Sequence, residues 1–482
     1  MSKSLARNGL LNVLYHAFSL VFPLIYASYV ARILNADGIG RVGFASNIVS
    51  YFLLLASFGI SVYGTREVPK VRDRKEDLDR LFTELAALNS LFTLLASAGF
   101  VLFLFLSCRL TEDFRLYLCC AIPLFLNFIN IDWLYKGEED YGYIVCRSLC
   151  IKCLMIAALF IFIRSPSDYI KYALISGLAL AGNYVFNAVH ARKYVSLSLS
   201  GIKPLRHLKP CLTFFIGDLL SVVYIRVDVL MLGLMCGSVF VGLYDYGHKI
   251  VNIAISVCIA FSAAFIPRLS YYHETDGKAF LDLIDLGIKI LIFLTVPMAA
   301  GLVILASHLV LVLYGVDFSA SVPVVRIFSV LIAVRGIGDL VCWQTLVAIG
   351  EERMRVLVAS LAGIINVLLN ALLIPRMDIR GAAVASVASE IAVNVILFVH
   401  VRRKVRFTVQ LKSLIQALVS ASLMAAVVLP CSLLMQNHIR ALLTSFSLGV
   451  VTYSLVNIML RNDVALLFVG KLRKGLRPGR TR

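Results

Sequence analysis

The sequence predicts an all-α, polytopic membrane protein: about 14 transmembrane helices, arranged as two pseudo-symmetric six-helix lobes plus a C-terminal hairpin. Three observations predict it. Apolar blocks of roughly twenty residues follow one another from Leu10 to Leu460, each long enough to cross a hydrocarbon core of about 30 Å as a helix. Hydrophobic residues make up 60% of the 482 positions, and the mean hydropathy is +0.88, more than a soluble domain keeps from water. The formal charge is +18, from 46 basic and 28 acidic residues. The basic residues gather in alternate connections, as cytoplasmic loops do. Topology therefore accounts for the sign of the charge, and no nucleic-acid partner is expected.

The elements follow in order. Lys3 and Arg7 precede an apolar run that continues to Val30, so the run reads as an uncleaved first span rather than a signal peptide. The spacing predicts spans over 10–30, 42–62, 85–107, 116–131, 147–163 and 170–190. It predicts a second set over 211–234, 239–265, 285–306, 324–348, 355–374 and 382–401, and a final pair over 411–434 and 440–460. With the N-terminus inside, the basic segments 63–84, 191–210, 402–410 and the tail after Arg461 fall on one side, which then holds several-fold more Lys and Arg than the other. Both termini are expected to be cytoplasmic. Every external connection is short, so no soluble domain is expected there.

An internal repeat divides the spans. VARILNADGIGRVGFASNIVSYF from Val30 matches VDVLMLGLMCGSVFVGLYDYGHKI from Val227, with Gly38 and Gly43 against Gly237 and Gly242. Each pair sits at an external hairpin turn, where glycine permits close helix approach or positive φ. A repeat of six spans returns the chain to the same side, so the halves share one orientation and enclose a central cavity. The expected organisation is an N-terminal lobe over 1–195 (spans 1–6), a C-terminal lobe over 196–404 (spans 7–12), an appended hairpin over 405–460 and a basic tail over 461–482.

Charges inside spans cost about 2.5–3.5 kcal/mol each near a helix centre, so they should face a cavity or a partner. Most lie in the second half: Asp218, Arg226 and Asp228 on span 7, Asp245, His248 and Lys249 on span 8, Arg335 and Asp339 on span 10, and Glu390 on span 12. Lys152 is the main example in the first half. Asp245 with Lys249, and Arg335 with Asp339, are four apart and could be structural ion pairs. Arg226 lies roughly 160° around the helix from Asp228, so it needs another partner, and an anionic ligand is a candidate. Cys146, Cys150 and Cys153 share a helix face; packing is the plainer reading, a metal or redox site the sharper one. Neither a nucleophile–base set nor a phosphate-binding glycine loop is evident, so no catalytic role, metal or cofactor is expected.

Four stretches resemble the bacterial polysaccharide flippases, which carry O-antigen or capsule repeat units and belong to the multidrug/oligosaccharidyl-lipid/polysaccharide exporter superfamily. They are LNADGIGRVGFASNIVSYFLLLASFGISVYGTREVPKVRD from Leu34, NFINIDWLYKGEEDYGYIVCRS from Asn127, VDVLMLGLMCGSVFVGLYDYGHKI from Val227 and NALLIPRMDIRGAAVASVASE from Asn370. The resemblance implies alternating access between two lobes in the cytoplasmic (inner) membrane. It implies an undecaprenyl-diphosphate-linked oligosaccharide as cargo, moved from inner to outer leaflet, with membrane lipids and a polysaccharide polymerase complex as partners. It also implies a cationic cavity, for which Arg226, Lys249 and Arg335 are the best matches. Asp218, Asp228, Asp339 and Glu390 are then candidates for proton or sodium coupling. Two rival readings are a drug/cation antiporter of the same superfamily and a membrane enzyme such as a polysaccharide polymerase.

Overall fold

The computed structural model describes residues 2–107, 113–198, 201–408 and 410–475, with the side chains of 2–24, 352, 353, 355, 356 and 471–475 outside the description. Among the described residues there is no strand, and helix runs nearly throughout. The chain clusters into two compact units, Met1–Gly242 and Leu243–Arg482.

In the first unit α1 (Ser2–Ser57) contains Asn35 at φ 58°, so it is two helical limbs joined by one residue. The sequence suggests a loop over 31–41; the limbs instead run up to a single residue, Asn35 at φ 58° and ψ 179°, a strained turn for a residue other than glycine. Phe58 and Gly59, both at positive φ, turn the chain into α2 (Ile60–Val71). There follow α3 (Lys75–Leu106), the short α4 (Phe114–Cys120), α5 (Ile122–Phe125) and α6 (Asp132–Gly137), then α7 (Tyr141–Phe162), α8 (Tyr169–His190) and α9 (Leu208–Met235). The expected span 116–131 is thus a broken series of short helices.

The core of this unit uses the same stretches that carry the family resemblance. Trp133 and Tyr135 of α6 are essentially fully buried, among Ile60, Tyr63 and Val68 of α2 and Leu81, Leu85 and Leu88 of α3. Gly64 faces the Trp133 indole so closely that a Cβ would come within 2.7 Å of it, and a Cβ on Gly137 would meet Val68. A buried carboxylate then staples the segment after α8 to α3. Glu84, fully buried, accepts from the Lys203 amide at 2.7 Å, Arg206 at 2.6 Å and His207 at 2.8 Å. Asp79 holds the Ser196 amide at 2.8 Å and its hydroxyl at 2.6 Å. The other ring nitrogen of His207 bonds the Tyr63 hydroxyl at 2.8 Å.

The second unit takes up most of α10 (Ser238–Ala263) and continues through α11 (Ile266–Thr275), α12 (Gly277–Tyr314), α13 (Val322–Phe328), α14 (Val330–Gly338), a π-helical turn over Asp339–Gln344, and α15 (Thr345–Ala348). Then come α16 (Glu352–Lys404), α17 (Leu411–Leu434), α18 (His438–Met459) and α19 (Asp463–Gly475). Asp378, at φ 49°, divides α16 into two limbs as Asn35 divides α1. α17 and α18 pack on each other and on α12. By length and composition, ten helices among the described residues can cross a membrane, and two of the ten contain the Asn35 or Asp378 break. The chain is a multi-pass membrane protein; the expected total of 14 is not established by that count. The unit boundary at Gly242 also differs from the boundary at 195/196 drawn from the repeat, which remains a proposal about symmetry rather than compactness.

Candidate functional site

In the first unit α9 places Arg226 and Asp228 on opposite sides, as its pitch requires. Asp228 is buried, Asp218 half-buried and Arg226 exposed. Among the described residues the Arg226 guanidinium has no ion-pair partner, while the Arg226 carbonyl accepts from Asn47 at 3.2 Å. A cavity of about 950 Å³ lies beside α9, walled largely by Phe44, Ile48, Phe52, Leu230 and Leu234, with Arg41, Tyr51, Ser107, Asp113, Tyr117 and Ser238 as its polar lining. Arg41 is already committed there, to Asp37 at 2.9 Å and Asp113 at 3.2 Å.

The glycines marked by the repeat divide in use. Gly237 takes φ 101°, a turn requirement. A Cβ on Gly242 would overlap the Ala36 carbonyl, and one on Gly40 the Ser238 carbonyl, so these two backbones touch directly. Gly40 is outside the repeat pattern, because Val239 stands at the corresponding position of the second stretch.

In the second unit three helices bring the candidate charges together. Arg335 of α14 donates to Glu390 of α16 at 2.9 Å; the Glu390 side chain is 6% exposed and that of Arg335 31%. Lys249 of α10 pairs with Asp245 at 2.9 Å, as the four-residue spacing suggested, and lies 4.0 Å from the centre of the Tyr246 ring. Asp339 accepts from the Ser262 hydroxyl and from Gln344 at 2.8 Å. His248 sits within electrostatic reach of Arg335, Asp245, Lys249 and Glu390, with Phe328 against its ring. The sequence placed His248 on span 8 without giving it a role. Only the fold shows that α10, α14 and α16 converge on it.

Such a cluster holds alternating charges at membrane depth on a partly accessible arginine. A guanidinium is a fork that fits carboxylate and phosphate alike, so Arg335 can exchange one for the other. The cysteines of α7 carry no comparable arrangement: Cys146, Cys150 and Cys153 are free thiols on its exposed side, not packed in the interior.

Comparison with known proteins agrees with this architecture. A family model described as "Polysaccharide biosynthesis protein" matches residues 5–273. A putative O-antigen transporter of Escherichia coli (strain K12) is 23% identical over 410 residues, spanning 83% of this chain and 97% of that protein. The probable low-salt glycan biosynthesis flippase Agl15 of Haloferax volcanii is 21% identical over 292 residues, 60% of this chain and 61% of that one. Among solved structures, the lipid II flippase MurJ in an inward closed conformation superposes with a TM-score of 0.77 at 15% identity, over 94% of this chain and all of that one. An inward-facing multidrug resistance MATE family transporter of the MOP superfamily gives 0.64 at 13% identity, over 80% of this chain and 94% of that one. At such identities the likeness establishes the fold, that of the MurJ- and MATE-like transporters. The family model covers more than half of the sequence, and the chain belongs to the polysaccharide biosynthesis protein family.

Proposed function

We propose that this chain is a flippase of the multidrug/oligosaccharidyl-lipid/polysaccharide superfamily, moving undecaprenyl-diphosphate-linked glycan units from the inner to the outer leaflet of the cytoplasmic membrane by alternating access. The observation that carries the reading is the family membership joined to the charge cluster on α10, α14 and α16. Relatives named as O-antigen transporter and glycan flippase support the substrate class.

The physics fits such a cargo. A diphosphate with about two negative charges gains roughly 4–5 kcal/mol moving outward across 100 mV, inside negative. The obstacle is the hydrocarbon, where each unsatisfied polar group costs several kcal/mol. Arg226, Lys249 and Arg335 supply cations for the phosphates. When Arg335 turns to phosphate, Glu390 loses that cation, and a proton or sodium ion takes up its charge; Asp218, Asp228 and Asp339 are the other carboxylates proposed for such coupling. An apolar groove of about 540 Å³ in the second unit, between α12 and the α17–α18 pair, offers a surface for a polyprenyl chain. Both termini are then cytoplasmic, and a polysaccharide polymerase complex is the natural recipient of the product.

Arg226→Ala and Arg335→Ala test the reading in the producing cell. The expected result is loss of surface polysaccharide with normal amounts of the protein in the membrane. Normal polymer from both variants overturns the cationic-cavity mechanism.

A further inference from the structure

The long apolar helices end with α18, and the short helix after it is of a different kind. Arg461, at φ 53°, turns the chain out of α18. Asn462 then opens α19: its Oδ1 accepts from the Val464 amide at 3.0 Å and from the Ala465 amide at 3.4 Å. The Asn462 side-chain nitrogen donates to Gln416 Oε1 of α17 at 3.1 Å, and Gln416 Nε2 donates to the Leu460 carbonyl at 2.8 Å. Asp463 pairs with Lys289 of α12 at 2.7 Å. The Phe468 ring stacks beside Phe293 of α12, with centroids 6.2 Å apart. The position of α19 is therefore set by α12 and α17, not left to the chain end.

One side of this fixed helix is uncovered. Val464 and Ala465 are buried, whereas Leu466, Leu467 and Phe468 are 45%, 51% and 51% exposed. With 13 residues α19 is too short to cross a hydrocarbon core, which takes about twenty. An apolar helix face at the end of a membrane span is covered by entering the boundary between headgroups and acyl chains. Cations stand beside this face. Lys289 pairs with Asp463, Lys412 of α17 acts on the same carboxylate, and Arg461 lies two residues before it, so three positive charges surround one negative. Lys412 and Arg461 are exposed and form no ion pair among the described residues. The sequence over 471–482 adds six basic residues and no acidic one. Exposed leucines beside surplus positive charge match a surface that is apolar below and anionic above. A zwitterionic lipid would satisfy the leucines and leave the surplus charge unmet.

We propose that α19 docks on anionic phospholipid of its own leaflet, with Leu466, Leu467 and Phe468 at the acyl boundary and Lys412 and Arg461 on the lipid phosphates. The proposal does not depend on the nature of the cargo. It gives the groove between α12 and the α17–α18 pair a lipid-responsive end, because Phe293, which carries the Phe468 ring, lines that groove.

The test uses the full-length protein with Leu467→Trp as reporter, in phosphatidylcholine nanodiscs holding equal fractions of either brominated phosphatidylglycerol or brominated phosphatidylcholine. Bromine quenches an indole that it touches, and the protein without the substitution supplies the contribution of Trp133 and Trp343. Quenching at position 467 is expected to be at least threefold stronger with the brominated phosphatidylglycerol; one cation near an anionic surface is worth about fivefold. Lys412→Gln combined with Arg461→Asn should at least halve that ratio while quenching itself persists. Asparagine is chosen at 461 because it accepts positive φ, and persistent quenching shows that α19 still reaches the lipid. Equal quenching by the two lipids overturns the proposal, as does a ratio unchanged in the double variant. Quenching no greater than without the reporter would mean that protein covers Leu467, and overturns it too. Loss of the preference in excess inorganic phosphate would assign the cations to free phosphate instead of a lipid headgroup.

Discussion

Two buried carboxylates, Glu84 in the first unit and Glu390 in the second, show how differently the halves use charge. Glu84 sits near the start of α3 and is saturated by a backbone amide, an arginine and a histidine, all from the segment after α8. It has the setting of a staple: its three hydrogen-bond donors all belong to a connection that must be held, and Arg80 of α3 adds a charge at 3.5 Å. Glu390 lies within α16 and meets one fork of a partly exposed arginine from another helix. A staple has no need of membrane depth. A charge pair that joins two long apolar helices is better explained by exchange of partners. The lesson is that burial alone does not separate structural from functional charge; the kind of partner and its place in the chain does.

The sharpest way to break this comparison is the same substitution at both sites. Glu84→Ala leaves His207, Arg206 and the Lys203 amide without their acceptor and is expected to cost about 3–5 kcal/mol, the penalty of breaking a buried pair. Membrane-inserted protein should fall steeply, measured by immunoblot of washed membranes. Glu390→Ala should leave the amount of protein nearly unchanged while changing transport. Equal losses of protein from both would erase the distinction.

A smaller effect is expected at the helix contact of Gly40. Gly40→Val places a side chain on the Ser238 carbonyl, and overpacking of this kind costs about 1–3 kcal/mol. Thermal stability in detergent should drop by several degrees. At Gly237, where positive φ is the constraint and nothing lies within 4 Å of a Cβ, Gly237→Asn should be tolerated far better. Equal destabilisation would mean that the contact is not what the glycine serves.

The smallest effect belongs to a half-buried carboxylate just before α16. Lys404 and then His400, as hydrogen-bond donors, hold the Glu351 carboxyl below its ordinary value. A depressed carboxylate contributes stability above its unfolded pKa and loses it as pH falls through the folded one. Glu351→Gln should therefore flatten the acid limb of the stability curve slightly and leave neutral pH nearly unchanged. Thermal melts from pH 7 down to pH 3 read this directly, and an unaltered acid limb removes Glu351 from the account.

The sequence was most legible where hydrophobic periodicity is strong. The predicted span 411–434 coincides with α17, and 440–460 nearly with α18, because long apolar runs have one way to satisfy their backbone in lipid. It was least legible over 116–131, where Pro123 and a run of short helices replace one span. The resemblance motif was visible, but its meaning was not: Trp133, Tyr135 and Gly137 make contacts with residues fifty or more positions away that no local pattern encodes. Asp245 with Lys249 was readable from spacing, since both partners are on one helix. Arg335 with Glu390 was not, being 55 residues apart. Spacing offered Asp339 as the partner of Arg335, and the fold supplied Glu390.

The single-residue turns at Asn35 and Asp378 bear on how such a protein can be handled. Topology is commonly mapped by inserting a reporter into each connection between spans. At these two points there is no connection to receive one, since helix runs up to the turning residue on both sides. A reporter placed there would pry a helical pair apart and report its own damage. α19 (Asp463–Gly475), beyond the last of the long apolar helices, is a better place for a label.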